Sequence, residues 1–210
     1  MQPFNTVSGR AAPLLQANLD TDVIIRIERL TAGDPGSLGL YAFEALRYRP
    51  DGTENPDFVL NRAGYRGAPI LIAGPNFGCG SSREGAVTAL LALGIRCVVA
   101  DSFGDIFYGN CFQNGVLPVR LAAPEVTALA AEAPDGAFTI DLRAGSITAP
   151  SGRRVAFEID ALRRSALLEG LDDIGLTLKH SAAITAWQQA DRTTRPWVWQ
   201  VAAVAWGENR

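Results

Sequence analysis

Three short apolar runs, separated by stretches of helical periodicity, restrict this chain more than any other feature. They are Ile70-Leu71-Ile72-Ala73, Cys97-Val98-Val99-Ala100 and Val116-Leu117-Pro118-Val119. Unbroken apolar runs of this length suit a strand buried on both faces. Between the first two, Ala86, Val87, Leu90, Leu91 and Leu93 approximate one helical face, and Gly94 suits a C-terminal stop. Between the second and third, Phe103, Ile106, Phe107, Asn110 and Cys111 recur at helical spacing as far as Gly115. Strand–helix–strand–helix–strand is the pattern of an α/β fold with a parallel sheet and right-handed crossovers. Pro124 then opens a helix with Val126, Leu129, Ala130 and Ala133 on one face. Residues 138–141, 146–148 and 154–157 read as short antiparallel strands. A helix follows to Gly170, and residues 173–191 read as helical in two pieces.

The opening third is less regular. Val7 to Leu15 reads as one or two short strands broken at Ala12-Pro13. Asn18-Leu19-Asp20-Thr21-Asp22 reads as a polar turn leading into Val23-Ile24-Ile25, and alternation along an extended segment sets Asp20 and Asp22 on the same side. Thr31 to Leu38 reads as a loop, Leu40 to Tyr48 as a short helix, and Arg49 to Gly67 as irregular chain rich in Pro, Gly, Asn and Asp.

Composition excludes several roles. A net charge of −3, without a long basic run, leaves no electrostatic footprint for nucleic acid or an anionic membrane. No apolar stretch reaches the roughly 20 residues that span a bilayer. Met1 to Asn5 lacks the charged and apolar regions of a secretory signal, so a cytoplasmic location is expected. Cys79, Cys97 and Cys111 stand far apart and His180 is the single histidine, a donor set that fits neither a zinc site nor an iron–sulfur site in this chain.

The candidate for chemistry is the turn Gly74-Pro75-Asn76-Phe77-Gly78-Cys79-Gly80-Ser81-Ser82-Arg83-Glu84. A strand enters it, and a helix expected to start at Ser81 or Ser82 leaves it. Gly78 and Gly80 lack a Cβ, so their backbone can approach a ligand closely. Ser81 and Ser82 offer hydroxyls, and Arg83 offers a forked cation suited to a carboxylate. Together they describe a site for a small carboxylate or phosphate at a helix start. The competing reading makes the serines a plain N-cap with Glu84 near a capping-box position, which leaves the two glycines and the arginine unexplained. Cys79 is either a nucleophile on a strained turn or a small buried thiol. Cys97 and Cys111 read as core, and His180 as the cap or first residue of a helix. Asp20 and Asp22 are either a carboxylate pair or an Asx turn. Arg26 and Arg29 either reach a carboxylate or are solvated.

Asn76 to Glu84 resembles the signature of the aconitase swivelling domain and, in detail, that of 3-isopropylmalate dehydratase small subunits. Asn18 to Ile25, Asn55 to Asn61, Ser102 to Phe112 and Gly170 to Leu178 agree with it in order. The resemblance implies a three-layer β/β/α swivelling domain of the aconitase C-terminal type over residues 1–194, with 195–210 as a C-terminal extension marked by Trp197, Trp199, Val201 and Trp206. It further implies a large partner subunit that bears a 4Fe–4S cluster. The substrate is a small dicarboxylate hydroxy acid, 2-isopropylmalate, converted to 3-isopropylmalate by loss and readdition of water in leucine biosynthesis. By the same resemblance Ser81 is the catalytic acid–base residue. By it also, Ser82 and Arg83 bind substrate and Asp22 borders it; from the residues themselves Arg29 reads as a further substrate-binding cation, Gly78 and Gly80 as the anion-loop backbone, and the donor set as one that holds no metal in this chain. Gly85 stands where the family usually carries histidine, Val23 where it carries glutamine, and Arg26 where it carries proline. These departures keep open a substrate of the citraconate or methylmalate type and a non-catalytic binding module.

Overall fold

A computed structural model describes residues 1–32 and 35–199, of which the contact pattern makes two compact units that meet between Asp172 and Asp173. Val201 and Trp206 of the expected extension lie outside the described residues. The first unit opens with β1 (Thr6–Leu14), followed by short helices α1 (Thr21–Ile24), α2 (Ile27–Ala32), α3 (Leu38–Tyr41) and α4 (Glu44–Arg47). The repeating part is β2 (Ile70–Ala73), α5 (Glu84–Ala92), β3 (Cys97–Ala100), α6 (Asp105–Asn114), β4 (Leu117–Arg120) and α7 (Ala123–Glu132). β5 (Ala137–Asp141), β6 (Ser146–Thr148), β7 (Arg154–Ala156) and α8 (Ala161–Glu169) complete the unit.

These strands form one sheet in the order β4-β3-β2-β1-β5-β6-β7. β4 to β1 are parallel, and β5 to β7 are antiparallel to their neighbours. β1 belongs to both halves: residues 6–10 pair with β5, and residues 11–14 pair with β2. This explains why Pro13 does not break the strand as expected. β5 has left the sheet edge by then, so only one side of β1 is still paired there, and a proline is tolerated beside an unpaired edge.

Alternate strand residues face different cores. Leu71, Val98 and Ala100 join the cluster under α5 and α6, together with Val87, Leu90, Phe107 and Cys111. Ile70, Ile72, Cys97 and Val99 face the other way, into a cluster that also holds Val126 and Leu129 of α7 and Phe138, Ile140 and Ile147 of the antiparallel half. The sheet therefore curls so that its antiparallel half covers one face of its parallel half, while helices cover the other. This is the expected β/β/α layering.

Three local expectations are corrected. The segment after Ala32 is not a simple loop up to Leu38, because α2 precedes it and a 3₁₀ turn at Pro35–Ser37 leads directly into α3. The helix expected over 40–48 is split by Phe43, whose backbone is left-handed at φ 56° while its ring is fully buried. Burial of that aromatic, worth about 1.5–3 kcal/mol, outweighs the local backbone cost. The third correction, at Asp20–Asp22, belongs to the site.

The second unit consists of α9 (Asp173–Leu178), α10 (Ser181–Thr194) and α11 (Pro196–Trp199), the two helical pieces expected and a further turn. His180 occupies the N-cap position of α10 without a side-chain capping bond. Arg195 Nε and Trp199 Nε1 both donate to the carboxylate of Asp191, at 2.6 and 2.9 Å, tying α11 back to α10. No helix among the described residues is long and apolar enough to cross a membrane.

Candidate active site

The chain between β2 and α5 is clamped from two sides by backbone hydrogen bonds. On one side Gly78 N–H donates to Leu19 O at 2.8 Å and Thr21 N–H donates to Cys79 O at 2.9 Å. On the other, Phe77 N–H donates to Ser102 O at 3.1 Å and Gly104 N–H donates to Phe77 O at 3.0 Å. Asn76, left-handed at φ 56°, donates its N–H to Ser102 Oγ at 2.8 Å and its side-chain amide to Asn18 Oδ1 at 2.9 Å. Asparagine tolerates this backbone region better than most residues. Gly78 is required twice over: its φ is +70°, and a Cβ there would lie 2.3 Å from the buried ring of Phe107. Gly80, at φ +93°, turns the chain so that Ser81 emerges at the surface.

α5 begins at Glu84, not at Ser81 or Ser82, and its N-cap is Arg83 without a side-chain cap bond. The capping explanation of the serines therefore fails. Both are exposed, and neither hydroxyl has a hydrogen-bond partner among the described residues. The backbone of Ser81 is nonetheless fixed. Its carbonyl accepts from Thr21 Oγ1 at 3.1 Å and from Arg83 N–H at 2.8 Å. Across from it lies a hollow of about 190 Å³, walled by Gly78 to Ser81 and by Gly104 to Phe107. Asp105 and Ile106 are exposed on this second wall and were not among the expected site residues. The Ser102–Phe112 segment carried a family signal but no single side chain with evident chemistry.

Asp20 and Asp22 do not share a side of an extended strand. Asp20 caps α1, accepting from Val23 N–H at 2.8 Å, so the short helix replaces the alternation and the turn-forming reading accounts for this carboxylate. Asp22 lies in the first turn of that helix, with its side chain 55% exposed, and forms an ion pair with Arg83. Asp22 thus joins Ser81 and Arg83. Arg29 does not. Its Nε and Nη2 donate to the two carboxylate oxygens of Glu44 at 2.9 and 2.5 Å, and its guanidinium lies 4.3 Å from the Tyr41 ring centroid. That bond holds the Glu44 carboxyl below its ordinary range and raises the arginine. No hydrogen bond or ion pair among the described residues links Arg29 to Asp22, Ser81, Ser82 or Arg83.

The three cysteines are free. Cys97 and Cys111 are fully buried, and desolvation pushes both thiols up, so they stay protonated as core residues. Cys79 is half-buried on the wall of the hollow, with no base hydrogen-bonded to it among the described residues. Among those residues no group of three or more His, Cys, Asp or Glu could hold a metal ion. Two buried thiols and one isolated half-buried thiol do not fit an iron–sulfur cluster.

An open hydroxyl, an arginine fork beside it and a glycine-built backbone clamp are equipped to hold a small carboxylate and move a proton next to it. Comparisons with known proteins point to one family. The model of the aconitase C-terminal domain matches residues 1–124, and a model described as LeuD_N matches 125–161. The model of the C-terminal domain of the 3-isopropylmalate dehydratase small subunit matches 173–198. The chain is 51% identical over 200 residues to the 3-isopropylmalate dehydratase small subunit of Gluconacetobacter diazotrophicus, covering 94% of this chain and 97% of that one. It is 52% identical over 200 residues to the protein of the same name from Nitrobacter winogradskyi, covering 94% of this chain and 100% of that one. The crystal structure of 3-isopropylmalate dehydratase (leuD) from Methanocaldococcus jannaschii superposes with a TM-score of 0.64 at 29% identity, covering 87% of this chain and 99% of that chain.

Proposed function

The chain belongs to the 3-isopropylmalate dehydratase small-subunit family of the aconitase superfamily, and on that premise we propose how its own residues serve the reaction. It is the small subunit of a heteromeric hydro-lyase, active with a large subunit, that interconverts 2-isopropylmalate and 3-isopropylmalate in leucine biosynthesis. In this reading the 4Fe–4S cluster is held by the large subunit, because the donor set of this chain does not fit one. The working domain is residues 1–194, where α10 ends, with 195–210 as an extension, and the complex is cytoplasmic.

Ser81 takes the proton from the substrate carbon, and Arg83 holds the substrate carboxylate with two parallel N–H donors. With Ser81 entering as its alkoxide, the C–H electrons become the new double bond while the C–O bond on the adjacent carbon breaks with its electrons on the hydroxyl oxygen, which takes a proton from a donor outside this turn and leaves as water. Readdition with the opposite orientation returns the proton from Ser81. Backbone anchoring of Ser81 through its carbonyl leaves the hydroxyl free while fixing where it points, which is what orientation requires. Asp22 holds the guanidinium in place before substrate arrives. Ser82 and the backbone of Gly78 and Gly80 complete the carboxylate site. Arg29, committed to Glu44, acts on substrate only if that pair opens.

The single observation that supports this assignment best is the exposed, unbonded hydroxyl of Ser81 in the same turn as Arg83. In a complex assembled with a cluster-loaded large subunit, Ser81→Ala is expected to lower turnover by about 10²–10⁴-fold with little change in KM. Arg83→Lys is expected to raise KM, since a point charge cannot make the paired contact. Near-normal turnover of Ser81→Ala, with loss of activity in Cys79→Ala, would hand the chemistry to the cysteine.

A further inference from the structure

A second cleft lies in the first unit, against α4 and the turn that follows it. Its volume is about 620 Å³, and Arg26, Glu44, Tyr48, Arg49 and Gly52 are among the residues that line it. It shares no lining residue with the hollow beside Ser81. Small-molecule sites commonly enclose about 300–1,000 Å³.

The hydrogen-bonding groups of this wall are out of balance. The guanidinium groups of Arg26 and Arg49 and the hydroxyl of Tyr48 have no hydrogen-bond or ion-pair partner among the described residues. Glu44 is the single acid of the lining, and Arg29 already occupies both of its carboxylate oxygens. Arg26 helps to lower the Glu44 carboxyl, but through its charge and not through a bond. Asp51 stands in the following turn, where its Oδ1 accepts from Thr53 N–H and Thr53 Oγ1 at 2.9 and 2.6 Å. The cleft therefore presents donors and positive charge, with no uncommitted carboxylate in its lining to answer them.

The donors stand on fixed backbone. Arg26 O accepts from Arg29 N–H at 3.1 Å. Arg49 N–H donates to Thr53 O at 2.8 Å, and Arg49 O accepts from Gly52 N–H at 2.9 Å. The buried Arg47 donates to Gly39 O at 3.0 Å, and its guanidinium lies 5.3 Å from the Tyr48 ring centroid. Groups already held in place lose less freedom when a ligand binds. Arg26 also stands where the family usually carries proline, so the first cation of the cleft belongs to this chain and not to the family pattern.

We propose that this cleft is a second anion site, which takes the doubly charged end of a phosphate ester or of a small dicarboxylate between Arg26 and Arg49, with the Tyr48 hydroxyl as a further donor. A guanidinium fork matches either group.

The test is a titration of the isolated full-length chain with inorganic phosphate and with malonate at constant ionic strength, followed by NMR of backbone amides. Saturable shifts are expected at Arg26, Tyr48, Arg49 and Gly52. Arg26→Pro and Arg49→Ala should each weaken binding by about tenfold, and Tyr48→Phe by about threefold. Ile25 is extended, a conformation that accepts a following proline. If Arg26→Pro fails to fold, Arg26→Gln gives the same comparison. Tighter binding of phosphate would assign the site to phosphate esters, and tighter binding of malonate to dicarboxylates. Arg83→Ala should leave these shifts unchanged. Their loss in that variant would make them an echo of the turn at Ser81 and overturn a separate site. Shifts that chloride reproduces, or that survive loss of both arginines, would mean an adventitious ion only and would also overturn it. Because the readout is binding of a simple anion to this chain alone, the dehydratase reading stands or falls separately.

Discussion

Two regions joined by the Asp22–Arg83 ion pair are held by different forces. The turn from Gly74 to Arg83 is clamped by main-chain hydrogen bonds to Leu19, Thr21, Ser102 and Gly104, with glycine where a side chain would strike Phe107. The stretch from Asp22 to Glu44 carries main-chain bonds chiefly within its own short helices and turns. What ties it to α5 and to itself is largely side-chain contact: Asp22 with Arg83, Arg29 with Glu44 and Tyr41, Leu30 on Gly85. Backbone bonds are indifferent to most substitutions and side-chain contacts are not. The difference teaches that the turn can keep its backbone while the neighbouring stretch shifts, so that on the proposed reading the chemistry of Ser81 and the surroundings of the substrate can change separately. Val23 and Arg26 lie in the side-chain-held stretch, and Gly85 lies against its Leu30.

The sharpest way to break this comparison is to attack the clamped turn. Gly78→Ala places a Cβ 2.3 Å from Phe107, whose ring is buried between Phe77 and Phe103, and forces an L-residue to φ +70°. Overpacking and left-handed strain together should cost about 3 kcal/mol. The thermal midpoint should fall by about 6–12 °C, with activity lost in the complex. A variant as stable and active as wild type would show that the turn is not rigid. A milder probe is Thr21→Val, which keeps shape but deletes the hydroxyl bonded to Ser81 O at 3.1 Å from a residue that is 1% exposed. Stability should fall by about 1 kcal/mol. Turnover should fall by about tenfold with KM held, because Ser81 loses alignment and not contact with substrate.

The parallel half of the fold was legible because its strands are unbroken apolar runs and its helices keep one apolar face. What escaped was decided by distant partners. Pro13 reads as a strand breaker until β5 is seen to leave β1 at Arg10. Asp20 and Asp22 alternate in sequence, but a one-turn helix capped by Asp20 separates their roles, and a helix of four residues leaves almost no periodic trace. Ser81 and Ser82 look like caps because serine before a helix usually is one. The helix starts only at Glu84, and the Ser81 carbonyl instead accepts from the distant Thr21 hydroxyl and from Arg83 N–H. Arg29 was expected at the carboxylate site because cations near acids attract attention. Its partner Glu44 lies on another helix. Asp105 and Ile106 were missed because nothing in α6 distinguishes the residues that face the hollow.

The smallest expected effect sharpens the contrast, because it concerns an ion pair in the side-chain-held stretch. The hydrogen bond from Arg29 lowers the Glu44 carboxyl below its ordinary value of 4.5, opposed by partial burial. A carboxylate with a lowered folded value stabilises the fold fully above its unfolded value, and that contribution is lost as pH falls through the lowered one. The pair should therefore hold α2 against α4 at neutral pH and release it only on the acid side. Its partners are 40% and 26% exposed, so solvent and salt weaken it. Glu44→Gln should shift the midpoint at pH 7 by no more than about 2 °C, with the difference closing below pH 4.5 and shrinking at high salt. Its kinetic effect should be confined to substrate preference, because the freed Arg29 is the one cation expected at the carboxylate site that the fold holds back. An unchanged preference with a lowered kcat would mean that Glu44 supports the clamped turn after all, and the separation between the two regions would not hold.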